Sequence, residues 1–143
     1  MKVEQLSVFL ENKAGRLFEV TGILNEAQVN IRALALADTS DFGVLRLIVD
    51  DNVRAVAALK ENGFTVGRTE VVAVLVEDRP GGLHNILKQL KETRLNVEYM
   101  YSYLRHIESS AVMIFRFDNV PAAVQLLKEK GFRILDSGEL CNV

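Results

Sequence analysis

The residues best placed to do chemistry occur twice. Glu77-Asp78-Arg79-Pro80-Gly81-Gly82-Leu83 ends an apolar, strand-like run and opens a helical pattern, and Glu11-Asn12-Lys13-Ala14-Gly15-Arg16-Leu17 has the same grammar earlier in the chain. Each stretch is a turn in which a glutamate closes the strand, a polar hinge follows, and a glycine admits the chain to a helix. The first N–H groups of a helix have no intrahelical acceptor and sit at the positive end of its dipole, so they can hold a small anion. Asparagine or aspartate side chains and strand carbonyls can accept from an ammonium. The implied chemistry is non-covalent capture of a zwitterion. Asn30-Ile31 and Asn96-Val97, at the entry to the next strand, are expected at the same end of neighbouring elements as the turns. Local backbone needs alone would also justify a glycine and an asparagine at these positions.

Covalent chemistry has little to build on. The histidines, His84 and His106, fall in the first turn of a predicted helix and in a hairpin, without a serine or cysteine at a suggestive spacing. No metalloprotease or phosphate-loop motif is present. The single cysteine, Cys141, allows neither an internal disulfide nor a cysteine-based metal cage. No enzyme activity, metal or cofactor is expected.

The composition narrows the partners. Seventeen basic and nineteen acidic residues give a net charge of −2 without a block of either sign, so no electrostatic footprint for nucleic acid or an anionic membrane is present. Phe42-Gly43-Val44-Leu45 superficially resembles the third-strand motif of RNA-recognition domains, but Asp41 stands where a basic residue belongs and the first strand offers only Phe9 as an aromatic. With 49% hydrophobic residues the chain can fill a core. Its apolar runs are too short to span a bilayer and its start lacks a signal-peptide pattern, which implies a cytoplasmic protein.

The elements that would carry the turns follow from periodicity. Leu6, Val8 and Leu10 alternate with Gln5, Ser7 and Phe9, a half-buried strand. Leu17, Val20, Leu24 and Ala27 then form a helical stripe. Ile31–Ala37 and Val44–Val49 read as strands separated by the turn-rich Asp38-Thr39-Ser40-Asp41. Asp50-Asp51-Asn52 supplies candidate N-caps for a second helix with Val53, Val56 and Leu59 inward, closed by Asn62-Gly63. Phe64–Arg68 is a fourth strand. The order β-α-β-β-α-β implies an α+β, ferredoxin-like unit, an antiparallel four-stranded sheet with both helices on one face.

The unit then repeats. Displaced by 66 residues, Glu4, Val8, Glu11, Gly15, Leu17, Leu24, Glu26 and Asn30 fall on Glu70, Val74, Glu77, Gly81, Leu83, Leu90, Glu92 and Asn96. Displaced by 68, Asp50, Val56, Leu59, Gly63 and Phe64 fall on Asp118, Val124, Leu127, Gly131 and Phe132, which places a two-residue insertion in a hairpin. Residues 1–69 and 70–143 are thus expected as two repeats without a linker, packed rigidly together. The second copy has predicted strands at Val71–Val76, Asn96–Leu104, Ala111–Phe117 and Arg133–Leu135 and helices at Gly82–Thr93 and Val120–Lys130. Val71, Ala73 and Leu75 point away from those helices and need a cover, from the other repeat or a second chain.

Asp78-Arg79-Pro80-Gly81-Gly82-Leu83 followed by Asn96-Val97, in this element order, resembles the ACT domain, the regulatory module of many enzymes of amino-acid metabolism. Asn12-Lys13-Ala14-Gly15-Arg16-Leu17 followed by Asn30-Ile31 resembles a second copy, so the whole chain is similar to a stand-alone tandem ACT protein. The resemblance implies a free amino acid as ligand, held at domain interfaces by the turn of one domain and the second strand of its neighbour. It implies a homodimer and a regulated protein partner. The ligand-contacting residues it points to are Asn12, Lys13, Ala14, Gly15, Arg16, Leu17, Asn30 and Ile31, and Asp78, Arg79, Pro80, Gly81, Gly82, Leu83, Asn96 and Val97. Ala14 replaces the usual proline and Arg16 follows the glycine, so the second turn is the favoured site. Tyr99, Met100 and Tyr101 are candidates for a side-chain pocket, or for ordinary sheet packing. Gly82→Arg is expected to block that site with the fold intact. The competing reading is a ligand-independent protein–protein interaction module.

Overall fold

The computed structural model describes residues 3–38 and 41–142. Thr39 and Ser40 of the predicted turn lie outside them. The chain forms two compact units, Glu4–Thr69 and the part from Glu70 onward with Val3. The first contains β1 (Val3–Glu11) but for its first residue, α1 (Arg16–Glu26), β2 (Ile31–Asp38), β3 (Phe42–Val49), α2 (Asn52–Glu61) and the start of β4 (Thr65–Glu77). The second contains the rest of β4, α3 (Gly82–Leu90), β5 (Val97–Ile107), β6 (Ser110–Phe117), α4 (Val120–Glu129), β7 (Ile134–Leu135) and α5 (Ser137–Cys141). β4 is one strand of 13 residues that ends the first unit and opens the second. No helix among the described residues is long and apolar enough to cross a membrane.

In the first unit β1 lies between β3 and β4, with β2 beyond β3. In the second the order is β5-β6-β4-β7. This is the ferredoxin-like arrangement twice. The alternating strand faces determine which side the helices cover: Leu6, Val8 and Leu10 pack with Val20, Leu24, Ala55, Val56 and Leu59. Val72, Val74 and Val76 do the same with Ile86, Leu90, Ala123 and Leu127. Phe115 and Phe117 stack with ring centroids 5.5 Å apart in the second core.

Helix starts and stops follow local chemistry. Asp51 caps α2 by accepting from the Arg54 N–H at 3.0 Å, and Asn119 caps α4 by accepting from Ala122 N–H at 3.2 Å. Gly63 and Gly131 close these helices at φ 86° and 84°. α3 stops at Leu90, short of the predicted Thr93, because the Thr93 hydroxyl donates to the Leu90 carbonyl at 2.6 Å and accepts from Leu95 N–H at 3.1 Å. Val53, predicted to face inward, is 73% exposed, and Ala55 is buried instead. Because the cap is Asp51, Val53 falls in the first turn on the solvent side of the stripe.

α5 has no counterpart among the elements that periodicity predicts. Asp136 and Glu139 form a reciprocal capping box, a pattern visible in the residues alone. Ala73 lies opposite both Ile114 and Leu135, all buried. The Tyr103 hydroxyl donates to the Leu140 carbonyl at 2.8 Å, tying α5 to β5, and Leu140 is buried. Part of the cover foreseen for the apolar sheet face thus comes from the unit's own C-terminal helix. Of the residues named for that face, Val71 and Ala73 are fully buried and Leu75 is half-buried.

Tyr103→Phe is expected to lower the unfolding free energy by about 1 kcal/mol. Leu140→Ala should cost about 2–5 kcal/mol, both read from urea denaturation at constant m-value.

Candidate functional site

The two turns are built bond for bond alike. Asn12 N–H donates to Asp41 O at 2.9 Å and Asp78 N–H to Ser109 O at 3.2 Å, each fastening the turn to the start of the neighbouring hairpin strand. Lys13 N–H donates to Glu11 O at 2.9 Å and Arg79 N–H to Glu77 O at 3.0 Å. Glu19 N–H to Gly15 O at 3.0 Å and Asn85 N–H to Gly81 O at 2.9 Å are the first helical bonds. Gly15 and Gly81 occupy the N-cap position at φ 90° and 87°, a left-handed conformation that L side chains adopt with strain. Neither cap contributes a side-chain acceptor.

The turns differ at the next residue. A Cβ on Gly82 would lie 2.0 Å from the Glu77 carbonyl oxygen, so glycine is required there by a backbone contact. In the first turn Arg16 occupies this place, and its N–H reaches Lys13 O at 3.4 Å, against 3.0 Å for Gly82 N–H to Arg79 O. The wider turn accepts a side chain. Gly82→Arg would therefore disturb the turn's backbone, contrary to the expectation that it leaves the fold intact.

Charge is arranged differently as well. In the first turn Glu11 lies between Lys13 (3.3 Å) and Arg16 (2.7 Å), and Arg16 also holds Glu19 at 2.8 Å. Hydrogen bonds from Lys13 and then Arg16 keep the Glu11 carboxyl below the usual carboxylate range. The Glu19 and Glu11 hydrogen bonds reinforce the charged form of Arg16. In the second turn Arg79 pairs with Glu77, and His106 Nε2 lies 3.2 Å from Asp78 Oδ2. That last contact, between the β5–β6 hairpin and the turn, was missed: only the fold brings positions 78 and 106 together. His84 is exposed in the first turn of α3.

Asn12, Lys13, Ala14 and Gly15 are exposed, as are Asp78, Arg79, Pro80 and Gly81; Leu17 and Leu83 are 39% and 36% exposed. The other half of each predicted site lies elsewhere. Glu11 pairs with Phe42 at one end of β3 and Ile31 with Val49 at the other; Glu77 pairs with Ser110 and Val97 with Phe117 on β6. Seven residues of strand separate the ends, roughly 23 Å. Within a unit the turn and the entry to its second strand are therefore at opposite ends, which corrects the expectation that they share one. The reason is topological: α1 and α3 carry the chain back along the sheet before the next strand begins.

At that far end Asn30 N–H donates to Asp50 Oδ1 at 2.9 Å while Asp50 N–H donates to Asn30 O at 3.2 Å. Asn96 and Asp118 repeat both bonds at 3.0 and 3.2 Å. Asp50, read with Asp51 as a candidate cap, instead anchors this loop. Ile31 and Val97 pack against their cores, as does Met100, whereas Tyr101 is buried and Tyr99 half-buried. No cluster of metal-ligating side chains occurs among the described residues. Each turn also borders a cavity open to solvent, about 240 Å³ in the first unit and about 290 Å³ in the second.

Gly82→Ala is expected to destabilise the chain by about 1–3 kcal/mol through overpacking, with Arg16→Gly milder, as measured by thermal unfolding. Glu11 should titrate below its ordinary value of 4.5 in a carbon-detected NMR titration. Its folded-state pKa is depressed, so the ion-pair contribution is complete above the ordinary value and is lost as the pH falls through the depressed one. Arg16→Met should move the midpoint upward.

A family model described as an ACT domain pair matches residues 1–143. No curated protein matches the chain. Among solved structures, protein BT0572 from Bacteroides thetaiotaomicron is 40% identical, superimposes with a TM-score of 0.92, and is matched over 100% of this chain and 98% of that one. The ligand-free regulatory subunit of aspartate kinase from Thermus thermophilus is 14% identical with a TM-score of 0.64, over 90% of this chain and 92% of that one. The corresponding subunit from Thermus flavus is 13% identical with a TM-score of 0.59, over 88% and 90%. The last two share the fold. From its duplicated ferredoxin-like units, its paired glycine turns and the family match over its whole length, this chain belongs to the ACT domain pair family.

Proposed function

We propose that this protein is a non-catalytic sensor of a free amino acid, acting as two ACT repeats, residues 1–69 and 70–143. The observation that carries the reading is the pair of exposed turns built with the same backbone bonds and the same left-handed glycine. Such precise duplication of an exposed turn exceeds what a chain reversal needs. In this reading the ligand carboxylate meets the first N–H groups of α3 at Asp78–Leu83, or of α1 at Asn12–Leu17. Because each unit separates its turn from its strand entry, Asn30-Ile31 or Asn96-Val97 would reach a ligand held by the turn only from another copy of the fold. A homodimer is one way to supply that copy. Binding then favours whichever arrangement holds the ligand better, and a regulated partner protein reads the shift. The family match and the fold shared with regulatory subunits of aspartate kinase support this reading.

The test is a thermal-shift screen of the intact chain against the twenty amino acids. A ligand that binds the folded state at a hundred times its Kd adds about 2.7 kcal/mol and should raise the Tm by several degrees. Asp78→Ala, at an exposed position, should diminish the shift given by a ligand held at the second turn, and Asn12→Ala that of one held at the first. An unchanged Tm for all twenty at millimolar concentration would instead favour a ligand-independent interaction module.

A further inference from the structure

The two units place a cavity at the same position in the fold, and the first lines it with more aromatic surface and less charge than the second. In the second unit it is bordered by Glu77, Arg79, Asn85, Ser110, Lys130 and Arg133, with Leu75 and Phe132 as its apolar part. In the first it is bordered by Phe9, Leu10, Phe42 and Phe64, with Glu11 and Arg16 beside them. Phe9 stands where the second repeat has Leu75, Phe42 where it has Ser110, and Arg16 where it has Gly82.

The phenyl rings are the anomaly. Phe9 is 49% and Phe42 60% exposed. β1 pairs Phe9 with Val44 and Glu11 with Phe42, so the two rings are diagonal neighbours on one face of the sheet. Phe64 joins them from the loop that leaves α2, packed on its other side against the core. Two exposed rings beside an open cavity, with the half-buried Phe64 completing its lining, leave in water a surface that folding ordinarily removes from it. The space, about 240 Å³, is below the roughly 300–1,000 Å³ of pockets for drug-sized molecules and suits a single small metabolite. Its charged lining, one glutamate and one arginine, is balanced, which suits a zwitterion and offers no excess of cations for a phosphate backbone.

We propose that the first-repeat cavity binds a free amino acid with an aromatic or large aliphatic side chain, seated among Phe9, Phe42 and Phe64. The assignment rests on the amino-acid-sensing reading and narrows it to one ligand class and one site. The ligand carboxylate, set against the first N–H groups of α1, also takes the place that Glu11 holds on Arg16, 2.7 Å away, and Glu11, still paired with Lys13 at 3.3 Å, turns to accept from the ammonium. Glu19, at 2.8 Å, keeps the guanidinium in position during the exchange. The equivalent cavity of the second repeat keeps Phe132 in place of Phe64 but has Leu75 and Ser110 in place of Phe9 and Phe42 and no arginine at the Gly82 position, so it does not take this ligand.

Calorimetric titration of the intact chain with L-phenylalanine and L-leucine, against L-alanine, L-lysine and L-aspartate, tests the assignment. L-phenylalanine and L-leucine should bind, Phe42→Ala should weaken L-phenylalanine about tenfold, and Lys130→Ala in the other cavity should leave it unchanged. NMR on the unsubstituted chain should show NOEs from the ligand ring to phenylalanine ring protons of the cavity, which keeps the test independent of whether the variant folds. Absence of those NOEs with bound ligand, or unchanged affinity in a folded Phe42→Ala variant, would overturn the assignment. Binding confined to small or charged amino acids would overturn it while leaving the sensor reading standing. No binding by any amino acid would overturn both. If Phe42→Ala dissociated a dimer in sedimentation without altering L-phenylalanine affinity, the rings would belong to self-association and the assignment would fall.

Discussion

Within each repeat, the first strand has to bury one face under two helices while its end remains free to turn outward. Leu6, Val8 and Leu10, and in the second repeat Val72, Val74 and Val76, are the residues on which both helices converge. Since strand side chains alternate, a register slip of one residue would send all three to the opposite face, so their burial sets the register of β1 and β4 against their neighbours. The strand end then lies at a defined height above the core. Four residues further on, Gly15 or Gly81 takes a positive φ and reverses the chain into a helix whose inward residues, Val20 and Leu24 or Ile86 and Leu90, return to that same core. The exposed turn is thus held from both sides by buried hydrocarbon. Its geometry persists without side-chain caps because packing on either side over-determines it.

Duplication lets one repeat serve as a control for the other. Where both carry the same backbone bonds, the constraint comes from the fold: Asp50 with Asn30 and Asp118 with Asn96 at one end, the glycine turns at the other. Where they differ, the side chains have diverged on an unchanged frame. Gly82 lies too near the Glu77 carbonyl to carry a Cβ, whereas the wider first turn admits Arg16 and with it an ion-pair cluster of Glu11, Lys13 and Glu19. These charges are exposed, so their contribution to stability is small and screened by salt. Their importance lies in orientation: a guanidinium held between two carboxylates presents a fixed face to the adjacent cavity.

The same comparison explains the sheet face opposite the helices. In the second repeat the chain continues beyond β7 into α5, and Tyr103 and Leu140 fasten that helix to β5. In the first repeat the corresponding strand is β4, which runs on as the next repeat's first strand, so no segment of this kind can follow it. Phe9 and Phe42 remain exposed there.

Periodicity was sufficient for the architecture. Apolar residues at period two or 3.6 report which face is buried, and that local property persists in the fold; the repeat, the order of elements and the left-handed Gly63 were all legible in this way. The α5 capping box at Asp136 and Glu139 is legible in the same way. What residue order could not supply was distance between segments far apart in the chain. The contact of His106 with Asp78, the separation of each turn from its strand entry, and the three phenylalanines drawn from β1, β3 and the loop before β4 all depend on strand pairing. A pattern read along one strand records its own faces and carries no record of which residue lies across from it. Residue types and spacing alone determined the duplicated fold and its two glycine turns; tertiary structure decided which side chains gather around them, because strand register converts sequence separation into proximity.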